Sequence, residues 1–280
     1  MRSRARLEWL LRWFNVLLLS VLAIGFLIPF FVVALTALKT NGELFANGSL
    51  SLPAEFRWQN FVRAWEIGQF GTYFRNSLVL VLVKVPLGIL ISACAAYALV
   101  LLNVPFRAGI LVLFLFGLVL PIQIVLQPLL VLLKQLGLSN SIWALLPPYV
   151  VFGIPFQVFL LSAFFRGIPK EIFDAARIDG ISDLGMFLRI VLPLSVPALS
   201  TLFVLDAVAT WNEFLISLVL INTDAARTVP VGLLRFQGTY SSQYAQLMAG
   251  VLIAISPLVI TYLFLQRYLI SGLTLGATKG

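Results

Sequence analysis

Residues 166–197 read RGIPKEIFDAARIDGISDLGMFLRIVLPLSVP, a polar and tightly punctuated island between two long apolar runs. Pro169 is placed to open a helix at its first turn, Glu171 then lies near the positive end of the helix dipole, and Gly180 supplies the left-handed residue that stops it. A helix of about ten residues is too short to cross a bilayer or to be stable alone. Packing against something else must hold it. Ala175 and Ala176 keep its middle slim, which suits a groove, while Asp174, Arg177 and Asp179 offer charged hydrogen bonds at the rim. Ser182 is predicted to cap a second helix, which Pro193 and Pro197 end before the chain turns back into apolar sequence. The plain alternative is an interfacial loop helix with no partner.

Outward from the island, the 280 residues are 61% apolar and 11% charged, with a mean hydropathy of +1.03. In water that composition would leave an unmanageable apolar surface, so the chain reads as an integral membrane protein. Apolar runs at 14–38, 76–102, 108–133, 143–165, 197–221 and 248–269 are each long enough to cross a core of roughly 30 Å as a helix of about 20 residues. The expected fold is therefore all-α and polytopic: one transmembrane domain over 1–280 with six membrane helices. Residues 1–13, 166–196 and 270–280 remain outside the lipid as amino terminus, loop and tail. Pro29, Pro86, Pro121, Pro128, Pro155 and Pro257 fall within the runs. They fit kinked helices around a cavity and equally fit simple packing kinks.

Arg2, Arg4, Arg6 and Arg12 form a basic leader, but the apolar stretch behind it is far longer than the roughly 7–15 residues of a signal peptide. It is expected to stay as an anchor with its amino terminus in the cytoplasm, and six crossings return the carboxyl terminus to that side. The net charge of +8 is scattered over loops and helix ends, so membrane topology explains it better than nucleic acid does. Cys94 stands alone in an apolar run and the chain has no histidine, which removes the commonest general base and zinc ligand. No catalytic centre, metal or cofactor is expected. None of the five lysines follows a glycine, so no phosphate-binding Gly-x-x-x-x-Gly-Lys-Ser/Thr loop exists, and any ATP chemistry needs another protein.

Two further features carry polar groups into apolar sequence. Asp206 and Glu213 are seven residues apart, two helical turns, and are expected to share one face of the fifth span, with Asn212 beside it and Trp211 adjacent in sequence. That face fits a passage lining, in which carboxylate and amide bond a solute while the indole offers an apolar plate. It fits interhelical bonding as well. Lys84 in the second span reads as a snorkelling or paired residue. The connection from Leu52-Pro53 to Trp65 carries apolar residues at helical spacing, with Trp58 and Trp65 suited to an interface. It reads either as a platform for an external partner or as a helix lying on lipid.

Asp174-Ala175-Ala176, three residues, Gly180, nine residues, Ile190, one residue and Leu192-Pro193 resemble the signature cytoplasmic loop of permease subunits in binding-protein-dependent ABC importers. Leu52-Pro53, Asn76-Ser77, Ile178-Asp179-Gly180, Trp211-Asn212-Glu213-Phe214, Gln266-Arg267-Tyr268 and the ending Gly276 to Gly280 extend the resemblance to the carbohydrate branch. There the chain is similar to the smaller permease subunit of the maltose importer. The family's first motif residue is usually Glu, and Asp174 keeps its charge here. The resemblance implies a coupling helix seated in a cytoplasmic ABC ATPase dimer that binds ATP and Mg²⁺, with the tail at Lys279 and Gly280 reaching into that dimer. It also implies a sibling permease as heterodimer partner, an extracytoplasmic solute-binding protein, a sugar or polyol as substrate, and a bacterial or archaeal cytoplasmic membrane. A secondary, ion-coupled transporter or channel using Asp206, Glu213 and Lys84 is the alternative of another class.

Overall fold

Apolar residues on every side of positions 13–31 leave no polar face to turn to water, which is the pattern of a helix surrounded by lipid or other helices. They form part of one helix, α1 (Arg2–Ala37), whose large side chains from Trp9 to Phe31 are exposed on the chain itself. The computed structural model describes the backbone of residues 2–238 and 243–277 and the side chains of residues 9–238 and 243–264. Lys279 and Gly280 lie outside the described residues, as do the side chains of Gln266, Arg267 and Tyr268. The chain divides into two compact units, one of Met1–Gln69 with Leu233–Ile255, the other of Phe70–Gly232 with Ser256–Gly280.

In the first unit the chain leaves α1 through Lys39, whose fully buried ammonium donates to the carbonyls of Gly48 (3.0 Å) and Ser49 (3.1 Å) and to Ser51 Oγ (2.9 Å). That saturates all three of its protons. Thr40 begins α2 (Asn41–Asn47) with a reciprocal cap: its Oγ1 accepts from the Glu43 N–H, and Glu43 Oε2 accepts from the Thr40 N–H at 2.8 Å. Glu43 Oε1 also accepts from the Ala54 N–H at 3.0 Å. The expected helix of the long connection is α3 (Gln59–Ile67), with Asn60 and Ala64 turned inward and Trp58, Val62 and Trp65 exposed. Asn60 donates to the carbonyls of Ala37 and Lys39, both at 2.8 Å, which fixes α3 to the end of α1.

The second unit holds α4 (Phe70–Leu101), α5 (Arg107–Val119), α6 (Ile122–Gln135), α7 (Leu146–Phe165), α8 (Lys170–Ile178), α9 (Asp183–Met186), α10 (Leu192–Leu194), α11 (Val196–Asn212), α12 (Leu215–Leu220) and α13 (Val229–Gly232). The last helix, α14 (Tyr244–Ala277), contributes its residues up to Ile255 to the first unit and those beyond to the second. At the centre of the second unit α4 packs on α7 and α11, and α5 packs on α7. Gly117 allows that last approach, since a Cβ there would stand 2.9 Å from the Pro155 ring.

Among the described residues four helices are long and apolar enough to cross a bilayer alone, and two bent pairs bring the crossings to six if each pair is one span. The expected third run is one of these pairs: α5 and α6 meet at 94° around Pro121, which lacks an N–H to continue a helix. The fifth run departs further, because α11 stops at Asn212 and the chain resumes as α12 after an extended Glu213. Pro193 does not end its helix either. The turn before it widens to a π-turn over Phe187–Val191, with the Leu192 N–H on the Phe187 carbonyl, and the bend of 73° comes later, between Leu194 and Val196.

The Thr40 N–H first, then the Ala54 N–H and the Thr40 hydroxyl, hold the Glu43 carboxyl below its ordinary value of 4.5. A depressed folded-state pKa means the tie is fully present above the unfolded value and is lost as pH falls through the folded one. Hydrogen exchange at the Thr40 and Ala54 amides should thus be protected at neutral pH and lose protection, after correction for intrinsic rate, only below the usual carboxylate range. Glu43→Ala should show that loss already at pH 7.

Candidate coupling helix and buried polar residues

The island folds from its own punctuation. Pro169 is extended and α8 begins at the next residue, with Glu171 in its first turn and Arg177 in its last. At the other end Gly180 takes a φ of +74°, and two bonds close the turn: Gly180 N–H to the Arg177 carbonyl (3.1 Å) and Ile181 N–H to the Ala176 carbonyl (3.0 Å). This paired arrangement satisfies carbonyls that a helix terminus otherwise leaves open. Ser182 Oγ then accepts from the Gly185 N–H at 3.2 Å and starts α9.

The two alanines point different ways. Ala176 is buried with Phe173 against the chain's own unit, so the expectation that both keep an outer surface slim is corrected: only Ala175 is presented outward. Around it Glu171, Ile172, Ile178 and Asp179 are exposed, and Ile178 reaches 86%. Ile172, Ala175 and Ile178 form a small apolar stripe at helical spacing. On an adjacent side Lys170, Phe173, Asp174 and Arg177 line a groove of about 650 Å³ with Asp183 and residues 100–103 at the end of α4. Asp174 and Arg177 form an exposed pair at 3.6 Å there. Tyr97 of α4 donates to the Asp183 carbonyl at 2.9 Å and its ring meets Phe187 at 5.1 Å, which ties the island to α4. Further on, Ile190 and Leu192 are half-buried and Pro193 is exposed.

The shared face expected of Asp206 and Glu213 is broken: Asp206, Trp211 and Asn212 lie on α11, and Glu213 lies at the break after it. Asp206 is 9% exposed and forms an ion pair with Lys84 of α4, itself 3% exposed. Lys84 therefore pairs rather than snorkels. Trp211 is buried edge-on against Phe74, with ring centroids 5.4 Å apart. Glu213 serves the backbone: its Oε1 accepts from the Ile216 N–H at 2.7 Å, and its Oε2 accepts from the Ser217 N–H at 3.2 Å and from the Tyr149 hydroxyl. Only Asn212 is exposed.

Several polar residues escaped the sequence reading. Gln157 accepts from the Ser92 hydroxyl at 2.8 Å, joining α7 to α4. A Cβ on Gly153 would stand 3.0 Å from Lys84 Nζ, 3.2 Å from Gln157 Nε2 and 3.6 Å from Asp206 Oδ1, so the glycine admits α7 to the ion pair. Asn76 donates to the carbonyls of Ala225 and Arg227, both at 2.9 Å, and Ser77 accepts from the Val229 N–H at 3.0 Å. Asn76-Ser77 was visible only as part of the family resemblance; Gln157 and Gly153 had no local signal, since their partners are distant in sequence.

An all-helical membrane subunit with a short capped helix between two crossings is the architecture of an importer permease. Residues 84–274 match the model of the binding-protein-dependent transport system inner membrane component, and the chain belongs to that family. It is 36% identical to the probable ABC transporter permease protein YurM of Bacillus subtilis, over 100% of this chain and 93% of that protein. It is 34% identical to the arabinooligosaccharides transport system permease protein AraQ of Halalkalibacterium halodurans, over 97% and 98%. The melibiose/raffinose/stachyose import permease protein MelC of Bacillus subtilis is 30% identical over 94% and 95%. The crystal structure of a bacterial ABC transporter that imports the acidic polysaccharide alginate has the same fold, with a TM-score of 0.76 at 21% identity over 91% of this chain and 94% of that one. These relatives and neighbours are ABC permeases, not ion-coupled carriers, so the secondary-transporter reading of Lys84, Asp206 and Glu213 is withdrawn.

Gly180→Val would place a β-branched residue at a φ of +74°, where L side chains cost about 1–2 kcal/mol. Hydrogen exchange should show the Gly180 and Ile181 amides deprotected, with α4 and α7 unchanged.

Proposed function

We propose that this chain forms half of the translocation pathway of an ATP-driven sugar importer, beside a sibling permease, and alternates between inward- and outward-open states. ATP and Mg²⁺ are bound by a separate cytoplasmic ATPase dimer, and an extracytoplasmic binding protein delivers the solute. Both termini and α8 lie on the cytoplasmic side. The observation that carries this reading is the geometry of α8: a nine-residue helix fixed at both ends, anchored inward by Phe173 and Ala176, with Ile172, Ala175 and Ile178 left for a partner's cleft. The relatives' names place their substrates among arabinooligosaccharides, raffinose-type sugars and diacetylchitobiose, which supports an oligosaccharide here. Among the residues expected to line the passage, Asn212 is the one free to meet a hydroxylated solute, and the tail at Lys279 and Gly280 is a second contact with the ATPase.

Vesicles holding the co-purified complex should take up the sugar only with ATP inside and binding protein outside, and an uncoupler should leave uptake intact. Uptake that followed an ion gradient and ignored ATP would overturn the reading. Ala175→Arg with Ile178→Asp should leave the membrane unit folded yet lower ATPase co-purification at least about tenfold, the loss expected when a small buried apolar contact of about 1.4 kcal/mol or more is replaced by charge. Retention of the ATPase by that variant would remove α8 as the docking element.

A further inference from the structure

We propose that Lys84 and Asp206 are positioning residues of the transport cycle: their buried ion pair, closed over Gly153, binds α4, α7 and α11 into one body, so that displacement of α8 becomes displacement of all three. This rests on the coupling reading of α8. The island reaches the core by separate routes. Tyr97 and Phe187 tie it to α4, the backbone through α10 and the bend at Ser195 leads into α11, and residues 166–169 lead back into α7.

Three such inputs must be kept in step. Between helices in lipid there is no hydrophobic driving force, so association rests on van der Waals packing and on interhelical hydrogen bonds. Directional bonds do fix register, and here they are few and buried. Lys84 to Asp206 joins α4 to α11 across 122 residues of sequence, and Ser92 to Gln157 joins α4 to α7. Gly153 sets α7 against both partners of the ion pair, at distances that no larger residue would permit without displacing Nζ. Parting Lys84 from Asp206 would leave a bare charge in the interior, which makes the pair a staple rather than a hinge. Its burial also sets it back from any solute, since Lys84 and Asp206 keep little exposed surface.

The test measures uptake and ATP hydrolysis in the same vesicles of the complete complex. Lys84→Met should lower sugar moved per ATP about fivefold or more, the lower end of ordinary coupling factors, while binding-protein-stimulated hydrolysis stays within about twofold. Exchanging the charges, Lys84→Asp with Asp206→Lys, should recover the ratio, which a solute-binding role for Asp206 would not allow. An unchanged ratio in Lys84→Met, or no recovery in the exchange, overturns the proposal. If Lys84→Met does not assemble, Asp206→Asn decides the matter by the same ratio, because it keeps the shape and removes the charge. Wild-type vesicles without ATP-driven uptake would instead sink the importer reading, so the two failures are distinguishable.

Discussion

In hydrocarbon no water is present to satisfy a backbone amide or carbonyl, and each one left open costs several kcal/mol. Where the second unit leaves regular helix, its open backbone groups find partners within the chain. After α11 ends at Asn212, the first amides of α12 have no helical acceptor, and the Glu213 carboxylate takes two of them while the Tyr149 hydroxyl steadies it. Beyond α12 the irregular segment at 221–228 is held in the same manner, its carbonyls on Asn76 and the Val229 amide on Ser77. At the bend before α11 the Ser195 N–H is shared between the carbonyls of Val191 and Leu192. Side chains on α4 and α7 thus make possible the irregular backbone that links α11 to α13.

The same constraint separates what the sequence discloses from what it conceals. The ends of α8 and the start of α9 are legible because a proline, a left-handed glycine and a capping serine act on their own backbone within a few residues. The fifth span is not, because the seven-residue spacing of Asp206 and Glu213 defines a shared face only if the helix is continuous. Its interruption is stabilised by Tyr149, 64 residues earlier. Pro193 misleads for a related reason: the missing N–H is accommodated by a widened turn rather than a stop. The sequence places two alanines in the island helix, yet which of them faces outward depends on what Phe173 packs against. The pairing of Lys84 with Asp206 has no local signature at all.

With Glu213 engaged in capping, Trp211 packed on Phe74 and Asp206 neutralised by Lys84, the polar residues of this region are mostly occupied by the protein itself. An unpaired carboxylate at that depth would draw cations and trap them, since a low-dielectric surrounding strengthens every uncompensated charge. Pairing removes the field. If a solute passes here as proposed, short-range hydrogen bonding and shape remain to it, which suits an uncharged molecule rich in hydroxyls far better than an ion. On the proposed importer reading, the buried charges would act through the mechanical unity of α4, α7 and α11. On that reading, chemical selection would fall to exposed groups such as Asn212 or to the proposed partner proteins.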